Sequence, residues 1–196
     1  MTRRRAVLFG APLLAYLASM LHPSHVFAGG SPWLFLGVHL AFPAILCLLA
    51  WMFLLLVDGI DDGAATAVRV LAIPFAVAYT LYTAFAGVGV GAFEWQGADA
   101  SLADRVATSP LAAAVEAVAS ALWLATALAA VAALRRTAPP PALALLALGA
   151  LSFAYRHERP WGAAGMAAVL AGVVWIELRP RLARGARATS ALRLGR

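Results

Sequence analysis

The sequence predicts an all-α, polytopic integral membrane protein, a six-transmembrane-helix bundle with the N-terminus and the C-terminus both in the cytoplasm. Three observations predict it. First, 63% of the residues are hydrophobic and 12% charged, where a soluble domain carries about 45–50% and about 25%. Second, mean hydropathy is +0.85. A globule of 196 residues has too little interior to keep that much apolar surface from water, so lipid must be the solvent. Third, the apolar residues fall into six long runs, and arginines alternate between the gaps.

Crossing the hydrocarbon takes about 20 apolar residues in a helix. The first run is Ala6 to about His22, the second Trp33–Val57 with Pro43, and the third about Ala67–Phe93 with Pro74. The fourth is Leu111–Leu134; the fifth, Ala142–Tyr155, and the sixth, Gly162–Leu178, are short. None alternates with period two, which argues against a barrel. Gly29-Gly30-Ser31-Pro32, Asp58–Gly63, residues 94–110, Thr137–Pro141 and Glu158-Arg159-Pro160 are the turns. Residues 1–178 form the membrane domain. Residues 179–196 carry six arginines and little apolar periodicity, and read as a disordered or surface-bound cytoplasmic tail.

Every one of the fifteen basic residues is arginine, the bias of a GC-rich bacterial genome, which places the chain in a bacterial cytoplasmic membrane. With the N-terminus inside, the inner segments hold Arg3, Arg4, Arg5, Arg69, Arg135, Arg136 and the six of the tail. The outer loops hold Arg105, Arg156 and Arg159. That asymmetry is the positive-inside pattern. The arginines flank apolar runs instead of lining one basic face, so the net charge of +6 indicates anionic lipid headgroups at the cytoplasmic side and no nucleic acid. A second reading of the N-terminus is a signal peptide: Arg3–Arg5, an apolar run and Val26-Phe27-Ala28 before Gly29. Cleavage after Ala28 would leave five spans and remove His22 and His25.

Cys47, the one cysteine, excludes an intrachain disulfide and a Cys-based metal site and reads as a small buried hydrophobe. Threading the six spans by direction gathers polar residues at their outer ends. His22 and His25 close the first helix; His39 lies about two turns into the second; His157 follows the fifth, beside Tyr155, Arg156 and Glu158. Glu116 lies in an apolar stretch of the fourth, and Tyr79 and Tyr82 give the third a polar band. Gly87 and Gly91 form a GxxxG pair that permits close helix approach. Trp33, Trp95 and Trp161 read as an interfacial belt, and Trp51 and Trp123 as packing.

An ionisable group inside a span costs roughly 2.5–3.5 kcal/mol and normally faces a bundle interior or a wet cavity. The expected pocket is therefore His22, His39, Glu116, His157, Tyr79 and Tyr82. Three functions fit it. His22, His39 and His157, from three helices, would ligate a divalent metal or haem, imidazole being suited to zinc, copper and haem iron. Glu116 and His39 would instead be the titrating pair of a small proton-coupled transporter acting as a homo-oligomer, with Pro43 and Pro74 breaking helices near a cavity. Or the chain is a non-catalytic assembly or sensor module whose tail contacts lipid or protein. No nucleophile–base motif marks an enzyme.

Overall fold

The computed structural model describes residues 2–22, 31–97 and 100–194, with side chains, Ala100 apart, as far as Leu178. The helices are α1 (Arg3–Leu21), α2 (Pro32–Leu56), α3 (Gly63–Tyr82), a π-helical segment (Thr83–Gly89), α4 (Val90–Trp95), α5 (Ala100–Ala107), α6 (Pro110–Leu134), α7 (Pro140–Tyr155) and α8 (Trp161–Leu194). There is no strand among the described residues. His25 and the cleavage point after Ala28 lie outside them.

Local chemistry sets the starts. Proline occupies the first turn of α2, α6 and α7, where its missing N–H is not needed. Asp62 caps α3 by accepting from Ala65 N at 2.8 Å, and Ser109 caps α6 by accepting from Ala112 N at 3.2 Å. Pro43 and Pro74, expected to break their helices, sit inside unbroken ones. Each removes one hydrogen bond, which neighbouring helices can tolerate in an apolar medium. The irregularity falls one segment later, at Thr83–Gly89.

Five helical segments are long and apolar enough to cross a membrane: Arg3–Leu21, Pro32–Leu56, Gly63–Trp95, Pro110–Leu134 and Trp161–Leu178. The fifth expected run is α7, a shorter apolar helix of 16 residues. At 1.5 Å per residue it is about 24 Å long, short of a hydrocarbon core of about 30 Å. Beyond Leu178 the backbone of α8 stays helical to Leu194, within the segment read from the sequence as a disordered or surface-bound tail.

The helices close a ring: α1 packs on α2, α2 on α3, α3 on α6, α6 on α7, α7 on α8 and α8 on α1. The α7–α8 pair is antiparallel and backbone-close. A Cβ added at Gly165 would come within 2.6 Å of the Gly149 carbonyl oxygen, and one at Gly172 within 2.8 Å of that of Ala142. Only glycine permits such an approach. At one end of the ring Arg4 pairs with Asp58 at 3.2 Å and Arg5 with Glu177 at 3.1 Å. Arg69 donates to the Ile60 carbonyl at 2.7 Å. The start of α7, level with Gly172, belongs to this arginine end. The other end holds the histidines.

Between the ends the core is aromatic. Trp123 is fully buried, with Phe53, Phe75 and Phe153 around it at ring-centroid distances of 5.3–5.4 Å. Its indole N–H donates to the Ala150 carbonyl at 2.9 Å, joining α6 to α7. The outer surface carries exposed Leu40, Val70, Ile73, Leu111 and Leu148, a girdle that an apolar solvent accommodates and water does not. Cys47 and Trp51, read from sequence as buried and packed, are exposed on this girdle. In lipid an apolar side chain gains little by turning inward, so hydrophobicity does not report its direction.

Candidate metal centre

Three imidazoles converge at the histidine end, each held by a different local rule. His22 is the C-cap of α1; its N–H still bonds to the Ala18 carbonyl at 2.9 Å, but its ψ of 120° leaves the helix. The next residue in sequence is Pro23, and a residue before proline is sterically driven to extended ψ. His39 lies on the buried side of α2. His157 sits in the turn between α7 and α8, where the Gly162 N–H bonds back to the Glu158 carbonyl at 2.6 Å. A side chain at Gly162 would overlap the backbone of His157.

The ligating nitrogens of His22, His39 and His157 all lie within 4.8 Å of one another. Nε2 of His22 and Nε2 of His39 are 3.2 Å apart. Nitrogens bound at roughly 2.0–2.1 Å to one tetrahedral zinc ion stand about 3.3 Å apart. The two nitrogens are hydrogen-bonded here, at the spacing an ion replacing the shared proton would need. Nδ1 of His39 lies 2.8 Å from the Phe35 carbonyl oxygen. A carbonyl only accepts, so Nδ1 carries the proton and Nε2 keeps its lone pair for the centre. Such a second hydrogen bond is what fixes ring and tautomer in metal-ligating histidines. The ring packs on Phe35, with centroids 4.1 Å apart.

Opposite His39 is Gly87, in the π segment. A Cβ there would overlap the His39 ring, so the ring occupies the space that glycine leaves. Gly91, one turn on, would bring a Cβ to 3.3 Å of Leu36 Cβ. The GxxxG pair does bring helices together, and its first glycine makes room for an imidazole. π segments widen a helix by one residue per turn and recur at functional sites.

A cavity of about 130 Å³ adjoins the three rings. Tyr82 and Glu158 are its other polar liners; Phe35, Val90 and Ala107 are among its apolar ones. His22 and His39 are buried and His157 partly so. Burial, with the His22 and His39 rings beside it, pushes His157 down to about 3, so its ring is neutral, the ligating form, at neutral pH.

The expected six-residue pocket is thus divided. His22, His39, His157 and Tyr82 line the cavity. Tyr79 lines a second, smaller cavity with His39, Tyr82 and His157, and its hydroxyl lies 3.1 Å from Ser120 Oγ. Glu116 lines neither; it lies on α6 beside the Tyr82 hydroxyl, within the electrostatic reach of Arg156. Helical periodicity places a residue on a face but not across a neighbouring helix, and Tyr82 fills the space between. Two residues carry more than the sequence suggests. Glu158 adjoins the cavity because the turn after α7 is tight, and Gly87 because it faces His39; the i, i+4 glycine pair was the available signal for the latter.

No family of known proteins, no curated protein and no solved structure matches this chain.

Proposed function

We propose that the chain is a six-span membrane protein of the bacterial cytoplasmic membrane, with both termini inside, that binds one transition-metal ion, best zinc, through His22, His39 and His157 at its outer end. The observation that carries the reading is the convergence of three imidazole nitrogens within 4.8 Å, one of them tautomer-fixed by a backbone carbonyl. Three neutral nitrogen donors suit zinc or copper and not magnesium or calcium, which take oxygen. The orientation is supported by the arginine asymmetry, twelve against three across the alternating segments.

Haem is a poorer fit. The cavity, about 130 Å³, is below the ~300–1,000 Å³ that even drug-sized ligands occupy. The proton-carrier reading draws no support from helices that pass unbroken through Pro43 and Pro74, nor from the two cavities beside His39, which Glu116 does not line.

The test is elemental analysis of detergent-purified protein after zinc loading and desalting. One zinc per chain is expected, with each of His22→Ala, His39→Ala and His157→Ala losing it while keeping the helical circular dichroism. Wild-type protein that retains no metal, or triple-alanine protein that retains as much as wild type, refutes the proposal. Mass spectrometry of the mature N-terminus supplies a second check, because removal of residues 1–28 would delete His22 and the centre with it.

A further inference from the structure

Three protein ligands leave a tetrahedral ion one position short. Among the described residues, the group of His, Cys, Asp and Glu side chains close enough to share an ion contains the three histidines and nothing else. The Glu158 carboxylate adjoins the cavity but stands outside that group. The cavity of about 130 Å³ lies where the missing ligand would be. A water takes about 30 Å³ of liquid volume, so the space holds an ion, a water and a few atoms more.

Resting on the metal reading above, we infer that the fourth coordination position is an exchangeable site for a small oxygen- or nitrogen-donor anion. Charge sets the ligand class. Three neutral imidazoles leave the full double charge of the ion in a partly open cavity whose lining is about half polar, its apolar liners including Phe35, Ala86, Val90 and Ala107. An anion entering there neutralises charge that the protein ligands do not. Size sets the limit: acetate, bicarbonate or azide fits, or the carboxylate end of an amphiphile whose body stays outside. Tyr82 bounds the cavity, its ring 5.9 Å from that of His157, while its hydroxyl is committed to Glu116.

Depth fits an amphiphile's end. The site reaches from the Glu158 turn and Ala107 to His39, which is seven residues, about 10 Å, into α2. That range covers the passage from headgroups to hydrocarbon. An ion with three protein ligands and one exchangeable position is the arrangement of catalytic zinc, whereas structural zinc has four protein ligands. It acts as a Lewis acid on whatever oxygen occupies that place.

Cobalt(II) substitution reads this directly, because its visible bands report every change of ligand. Full-length protein loaded with cobalt is titrated with azide and separately with acetate. The bands are expected to shift saturably, with millimolar Kd. Glu158→Gln leaves the anion-free spectrum unchanged. Bands indifferent to both anions overturn the inference, as does a Glu158→Gln spectrum that has lost an oxygen ligand, which would make Glu158 the fourth donor. Either result leaves the three-histidine centre standing. A chain that takes up no cobalt at all fails the earlier proposal instead.

Discussion

His39 shows how much one side chain depends on its neighbours. Its donor nitrogen is committed to Phe35, its other nitrogen is hydrogen-bonded to His22 at 3.2 Å, and its ring fills the place of an absent Cβ at Gly87. Gly87→Ala should therefore act as a metal-site mutation. A methyl in a helix normally adds a few tenths to about 1 kcal/mol of stability, but here it displaces a ligand. Zinc affinity is expected to fall at least ~10-fold, as for losses of ligand support, with helical content unchanged. Competition with a chromophoric chelator measures it. Gly89→Ala is the control, since an added Cβ there meets nothing closer than 3.7 Å, and it should bind zinc as wild type does.

At the scale of elements, α6, α7 and α8 set the position of His157. Trp123 ties α6 to α7 through the Ala150 carbonyl. Replacing it by Phe removes that bond from a carbonyl that keeps its helical partner, at a cost of about 0.5–1.5 kcal/mol. Thermal unfolding in detergent should show the loss, and zinc stoichiometry should stay at one. Gly165→Leu is a harder perturbation, because the new side chain would meet the Gly149 carbonyl and the backbone of Phe153. It should separate α7 from α8 and abolish both tight binding and the cooperative melt. The contrast is the check: if Trp123→Phe also emptied the site, the centre would depend on the whole core and not on the α7–α8 turn. Much at this scale was legible beforehand. Apolar runs gave the helices, while the proline and Asp62 starts lay inside segments read only as turns. The π segment was not legible, since nothing in Thr83–Gly89 distinguishes a widened turn from a glycine-weakened α-helix. The outward side of Cys47 and Trp51 was not legible either, because lipid removes the polarity contrast that reveals direction in water.

For the whole molecule the account joins a bilayer orientation to an ion site. The Thr137–Pro141 turn and the Arg3–Arg5 end fall on one side of the ring, the histidines on the other. In a Cys47→Ala background, cysteines at Arg3 and Thr137 should react with a membrane-impermeant maleimide only after the membrane is opened, and one at Ser101 in intact cells. Labelling at Ser101 and Thr137 from the same side would contradict the six-span arrangement. Occupancy of the site should also stabilise the fold by mass action, by about 4 kcal/mol at a thousandfold excess over Kd, visible as a zinc-dependent rise in Tm that His39→Ala abolishes. The histidine convergence was legible as a region and not as a geometry. Hydropathy and arginines brought His22, His39 and His157 to one end, but a shared centre depends on ring distances fixed by the extended backbone of His22, by the Phe35 carbonyl and by Gly87. Glu116 was grouped with them by depth alone, and depth does not see Tyr82 standing between.

X-ray absorption at the zinc edge of the loaded, full-length protein tests the central claim most directly. The account predicts three imidazole nitrogens at roughly 2.0–2.1 Å with one light-atom ligand beside them. A sulfur shell near about 2.3 Å, which only Cys47 or methionine could supply, or a shell of oxygens without imidazole scattering, would contradict it.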